Sequence, residues 1–136
     1  MLTPADDTLA IVACTTCRFT PDRRENDDGE RGGAAFAAAL TAVRDGDPRY
    51  AGVAIQRMPC LFSCTEHCSV HLRAPGKVGY LLGRFTPDAD AARALLDYAV
   101  AYGRSEHGRV PFRQWPQGVK GHFIARVPPA GYVTDS

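Results

Sequence analysis

Five cysteines fall into two tight groups, Cys14-Thr15-Thr16-Cys17 and Cys60 through Cys64 to Cys68, and each group follows directly on a short apolar run. Leu9 to Ala13 is continuously apolar, as a buried strand is, and it runs straight into Cys14. Val53 to Met58 reads as a second strand, stopped by Pro59 just before Cys60. Between them Phe36, Leu40 and Val43 recur at helical spacing in an alanine-rich stretch that ends at Asp45-Gly46-Asp47-Pro48. A strand-helix-strand unit lays its strands parallel, so both cysteine groups are expected at the same edge of one sheet. An odd number of cysteines excludes a complete set of internal disulfides.

The amino-terminal stretch Met1 to Asp7 is acidic and lacks the form of a secretory signal peptide. No apolar stretch approaches the roughly 20 residues that cross a bilayer. The expected setting is cytoplasmic, without a membrane, and there thiols stay reduced and clustered cysteines bind metal or do redox chemistry more often than they form bridges. Four sulfurs from two loops can enclose a tetrahedral zinc or an iron-sulfur cluster, and spacing does not choose between them. The 16 basic and 15 acidic residues leave a net charge of +1, which gives no field to attract nucleic acid.

With 136 residues and a 45% hydrophobic fraction, the chain suits a single domain with its own core, 1–136, divided into 1–109 and an extended tail, 110–136, packed on it. The nine charged residues between Arg18 and Arg31 predict a surface loop. Val70 to Arg73 and Val78 to Phe85, around Ala74-Pro75-Gly76-Lys77, predict an antiparallel hairpin. Thr86-Pro87-Asp88 opens a second helix, with Thr86 suited to capping and Pro87 to the first position; Ala92, Leu95, Leu96, Ala99 and Tyr102 line its apolar face and Gly103 ends it. The order β-α-β-β-β-α defines an α/β fold with a mixed sheet. In the tail, Pro111 to Pro116 is expected as a buried extended latch, and Tyr98, Tyr102, Phe112 and Trp115 as packing.

The strand running into Cys14, the CLxxC of Cys60 to Cys64, and the hairpin and helix that follow resemble the thioredoxin-like 2Fe-2S ferredoxins. More closely, Cys14-Thr15-Thr16-Cys17, Cys60-Leu61 through Cys64 to Cys68-Ser69-Val70, Gly79-Tyr80, Tyr102, Val110-Pro111-Phe112-Arg113 and Ala125 to Pro129 resemble a bacterial family of uncharacterised, predicted metal-binding proteins, often encoded beside cobalamin-biosynthesis genes. The resemblance implies a thioredoxin-like fold and a metal centre. By position the implied ligands are Cys14, Cys17, Cys60 and Cys64, with Cys68 the competitor for the place of Cys17 or Cys64. Three features depart from the ferredoxins, whose first two ligands stand further apart, whose second motif commonly has glycine where Phe62 stands, and among whose four ligands Cys68 has no counterpart. His67 and His71 lie close enough in sequence to enter a mixed site.

The function this implies is one-electron transfer by a 2Fe-2S ferredoxin-like protein to a redox partner protein. Two alternatives remain at this point: a metal-delivery protein for zinc or cobalt, working with a metal-handling protein in cobalamin metabolism, or a structural Zn2+ module. A homodimer is a further candidate assembly. Arg18, Arg57 and Arg73 adjoin the cysteine groups in sequence and suit a face for an acidic partner. No nucleophile triad, carboxylate pair or phosphate-binding glycine fingerprint points to an enzyme, since Gly29, Gly32 and Gly33 follow no strand directly. A thiol oxidoreductase would need its nucleophile at a helix amino terminus, and the charged loop after Cys17 argues against a helix starting there.

Overall fold

The computed structural model describes residues 2–63 and 66–135, so Cys64, one of the expected ligands, lies outside the described residues. The chain forms β1 (Ala10–Cys14), α1 (Gly32–Asp45), β2 (Ala54–Met58), β3 (Val70–Arg73), β4 (Gly79–Leu82), α2 (Ala89–Arg104) and β5 (Phe123–Val127). The strands make one five-stranded mixed sheet in the order β2-β1-β3-β4-β5.

All five residues of β1 are buried, which is what its unbroken apolar run demands of a strand flanked on both sides. It pairs parallel with β2 and antiparallel with β3. Register decides where the thiols go. Cys14 lies opposite Met58, and Ala13 lies opposite Val70. The ends of β1 and β2 and the start of β3 therefore share one edge, which collects the loops carrying Cys14 and Cys17, Cys60, and Cys68. Arg73 pairs with Ala10 at the opposite end of the sheet, where it donates to Gln56 (3.1 Å). The expectation that Arg73 adjoins the cysteines is thus corrected: β3 carries it a full strand length away.

Helix α1 packs on β1 and β2 and against α2. From α2, the rings of Tyr98 and Tyr102 meet Tyr80 of β4 edge-on, at 6.4 and 6.1 Å between centroids. The cap of α2 differs from expectation: Asp88, not Thr86, accepts the Ala91 amide (2.8 Å), and Pro87 lies outside the helix. Nor does Gly103 end α2, which continues to Arg104. A Cβ at Gly103 would stand 2.7 Å from Leu9 Cδ2, so glycine serves close approach there rather than termination.

The tail contributes a strand that the sequence does not announce. β5 pairs antiparallel with β4 along the sheet edge, with a shift of register at Leu81 and Leu82. Its half-exposed pattern lacks the alternation that betrays a strand. The expected buried extended latch at Pro111 to Pro116 is instead a 3-10 turn over Phe112–Gln114 with no buried residue. Trp115 does the latching: its indole donates to Val110 O (2.8 Å) and its ring lies 4.6 Å from Phe123. Among the described residues, no helix is long and apolar enough to cross a membrane.

Candidate metal centre

The turn after β1 is set by contacts to all three neighbouring segments. The amide of Cys14 donates to Ser69 O (3.1 Å) and that of Thr15 to Met58 O (2.9 Å). The Thr16 hydroxyl donates to Pro59 O, tying the first cysteine loop to the second. Cys14 Sγ lies 3.9 Å from the same Pro59 carbonyl and 3.8 Å from Thr16 Oγ1.

A helix does begin at the thiols, although not next to them in sequence. The loop 18–31 folds back on itself, through an isolated bridge between Glu25 and Arg31, and returns the chain so that the Gly33 amide donates to Cys17 O (3.2 Å). A Cβ at Gly33 would stand 1.6 Å from Cys14 O, and one at Gly32 would stand 2.2 Å from Arg18 O. Only glycine admits the first turn of α1 so close to the cysteine loop. The charged loop after Cys17 starts no helix, as expected, but it brings the first turn of α1 back to Cys17 in space.

Cys14 and Cys17 are 2% and 3% exposed and share a hydrogen bond. That bond from the Cys17 thiol, helped by the backbone at Leu61 and Thr16 and by the Thr16 hydroxyl, brings Cys14 down to about 5 against the opposing effect of burial. Cys17 is pushed up, chiefly by the same bond and then by burial. Opposing that rise, both the hydroxyl and the backbone of Ser69 favour the Cys17 thiolate, with Ser69 Oγ 3.2 Å from Cys17 Sγ. At the second loop the Phe62 amide donates to Cys60 Sγ (3.3 Å). Three sulfurs thus have polar groups against them, and at Cys60 the donor is a backbone amide of its own loop. Such donors serve sulfur that bears negative charge, as a metal-bound thiolate does.

Cys68 is different. It is fully buried, lies 3.7 Å from Arg18 O, and its thiol is pushed up to about 12 by burial and by the neighbouring Cys14. Its φ of 54° is in the left-handed region. Among the described residues, no three His, Cys, Asp or Glu side chains form a ready-made cage; the pair Cys14 and Cys17 is the nucleus, with Cys60 brought to it by Pro59 and Leu61. His67 is half-buried and its Nδ1 has no partner among the described residues, while burial holds its pKa below the ordinary value. His71 lies in mid-β3 opposite Val12, its ring over Gly79, away from the thiol pair. Of the expected arginines, Arg18 stays at the site and Arg57 stands one residue before the end of β2.

The sequence reading missed Ser69, Gly32 and Gly33. Ser69 is the buried polar residue at this edge, 1% exposed. Its place between the last cysteine and an apolar strand was the available signal; for the glycines it was their pairing at the head of an alanine-rich helix.

Fold and site together define an α/β protein of thioredoxin-like ferredoxin architecture with a buried cysteine pair at one sheet edge. Residues 11–129 match the protein family of unknown function DUF1636, and the chain belongs to that family. No curated protein matches the sequence. Among solved structures, a thioredoxin-like 2Fe-2S ferredoxin from Aquifex aeolicus is similar, with a TM-score of 0.56 and 16% identity over 94% of this chain and 100% of that one. At that identity the likeness is one of fold.

Proposed function

We propose that this chain is a 2Fe-2S ferredoxin-like protein that passes single electrons to and from a protein partner. The observation that carries the reading is the set of polar groups placed against three sulfurs: Thr16 Oγ1 3.8 Å from Cys14 Sγ, Ser69 Oγ 3.2 Å from Cys17 Sγ, and the Phe62 amide donating to Cys60 Sγ at 3.3 Å. Free thiols need no such donors, whereas thiolates sharing their charge with iron are held and tuned by them. Cys14, Cys17 and Cys60 would serve as ligands with Cys64 as the fourth. When bound, a cluster of this type takes up and gives back one electron. The protein's part is to hold the sulfurs in place, exclude water from Cys14 and Cys17, and set the potential through these donors.

Burial of the first pair favours a resident centre over a site that hands its metal on, because ligand exchange needs access. The fold likeness favours iron over zinc. Anaerobic purification followed by metal analysis and visible and electron paramagnetic resonance spectroscopy tests the reading. The expected result is a reddish-brown protein with about two irons per chain and a paramagnetic reduced state. A colourless protein holding stoichiometric zinc, before and after anaerobic reconstitution with iron and sulfide, overturns it.

A further inference from the structure

A cavity of about 300 Å³ opens beside Cys17, lined by Thr16, Cys17, Arg18, Arg24 and Arg31. Three guanidinium-bearing residues line it and no carboxylate does. This segregation is not inherited from composition, because the loop 18–31 holds five acidic residues to four arginines. Three of the five acids are placed by contacts within the loop. Asp27 takes Arg23 (3.0 Å), Glu30 accepts from the Asn26 side chain (3.3 Å), and the Glu25 carboxylate lies at Gly29.

The arginines that remain differ in how they are held. Arg31 donates from Nη1 to Thr16 O (2.9 Å), which fixes it against the cysteine turn. Arg18 and Arg24 form no ion pair among the described residues. The loop that presents them is built rather than loose: Phe19 N donates to Arg23 O (2.8 Å), Asn26 N to Glu30 O (2.8 Å), and Asn26 Oδ1 accepts from the amides of Asp28 and Glu30 (2.9 Å each). Arginines without an ion pair, brought to one small concavity, are complementary to a compact oxyanion of two or more charges.

We propose that this cavity is an anion-binding site for a multiply charged oxyanion, carboxylate or phosphate, presented by a free small molecule or by an acidic cluster on a protein surface. The site stands on the cavity and its arginines alone and does not rest on the identity of the metal centre.

The test is titration of the full chain at low ionic strength with inorganic phosphate, citrate and hexaglutamate, followed by calorimetry and by amide chemical shifts. Saturable one-to-one binding of at least one probe below about 10 mM, with shifts centred on Thr16, Cys17 and Gly32, is expected. The double substitution Arg18→Gln with Arg24→Gln should weaken it about tenfold or more, while Arg126→Gln, exposed on β5 at the other edge of the sheet, should leave it unchanged. Phosphate or citrate binding as tightly as the peptide assigns the free small anion; a peptide about tenfold tighter and steeply salt-dependent assigns the protein surface. Absence of saturation by all three probes, shifts centred elsewhere, or a correctly folded double variant that binds like the parent overturns the proposal. A zinc or iron result at the cysteines leaves this outcome untouched.

Discussion

Ser69 Oγ sits 3.2 Å from Cys17 Sγ, buried, on the residue whose carbonyl also accepts the Cys14 amide. One residue at the start of β3 therefore fixes the backbone of the first cysteine and contacts the sulfur of the second. Ser69→Ala keeps the backbone bond and deletes the hydroxyl. In the iron-loaded protein, loss of a donor to an anionic sulfur favours the oxidised, less negative state, so the reduction potential should fall. A shift on the order of 60 mV, equivalent to about 1.4 kcal/mol for one electron, is expected in a spectroelectrochemical titration. An unchanged potential with full iron content would show that the hydroxyl does not donate to the sulfur.

The approach of α1 to the cysteine turn predicts a sharp contrast between two glycine substitutions. Gly33→Ala drives a methyl group into Cys14 O, at 1.6 Å if nothing moves, so the turn and helix must separate. A cost of about 3 kcal/mol and loss of metal retention are expected. Gly52→Ala meets nothing within 4 Å and should lie within about 0.5 kcal/mol of the parent. Urea denaturation of the two variants compares them directly, and equal stabilities would contradict the close packing.

Two buried tyrosines of α2 are set against each other by their hydroxyls. Tyr102 donates to Val78 O at 2.6 Å, whereas the buried Tyr98 hydroxyl has no partner among the described residues. Tyr102→Phe leaves a buried carbonyl without its donor and should lower stability by about 1–2 kcal/mol; Tyr98→Phe removes an unpaired polar group and should be neutral or stabilising by about 1 kcal/mol. Opposite signs in a thermal or urea melt are the expected signature.

These two rings and that of Tyr50, also buried, make the fold sensitive to alkali. Burial pushes Tyr102 up to about 12, burial and the Asp97 carboxylate push Tyr50 up to about 12, and Tyr98 is raised too. An acid with a raised folded pKa holds its proton in the native state after the unfolded chain has released it. Its contribution is whole below pH 10, the ordinary tyrosine value, and is lost as pH climbs from there toward 12. Each such tyrosine removes about 1.4 kcal/mol per pH unit in that window. Unfolding free energies measured from pH 9 upward should therefore decline steeply past 10, with tyrosinate absorbance appearing together with unfolding; a flat profile would contradict the burial.

Much of this architecture is written in local pattern. The apolar run before Cys14 must be buried on both faces, and a helix between two such runs leaves parallel strands as the economical arrangement, so both cysteine groups reach one edge. Patterns that depend on contacts from afar are not written that way. β5 lies half-exposed on the sheet edge and carries no period, and Gly103 looks like a helix stop until Leu9 is packed against it. Sequence adjacency also misplaces charge: Arg73 follows the cysteines by five residues yet sits at the far end of β3, whereas Arg31, fourteen residues beyond Cys17, returns to it. Phe62 is the instructive case. It stands where the ferredoxins commonly have glycine, and it adopts φ 59°, the conformation that glycine would take without strain.

The fifth thiol can be assigned by combining burial with reactivity. Cys68 is fully buried, faces the Arg18 carbonyl and holds its proton to about 12, so it behaves as a small core residue beside the site rather than as a ready thiolate. Cys68→Ala should keep the full complement of metal at a cost of about 1 kcal/mol, whereas Cys14→Ser, Cys17→Ser and Cys60→Ser should each lose most of it. Thiol alkylation of the native metal-free protein near neutral pH gives a second readout. Cys60, partly exposed, should react with a small alkylating agent well before Cys68, which should be modified only on unfolding. If Cys68→Ala loses its metal while Cys17→Ser retains it, Cys68 is the ligand and Cys17 the bystander.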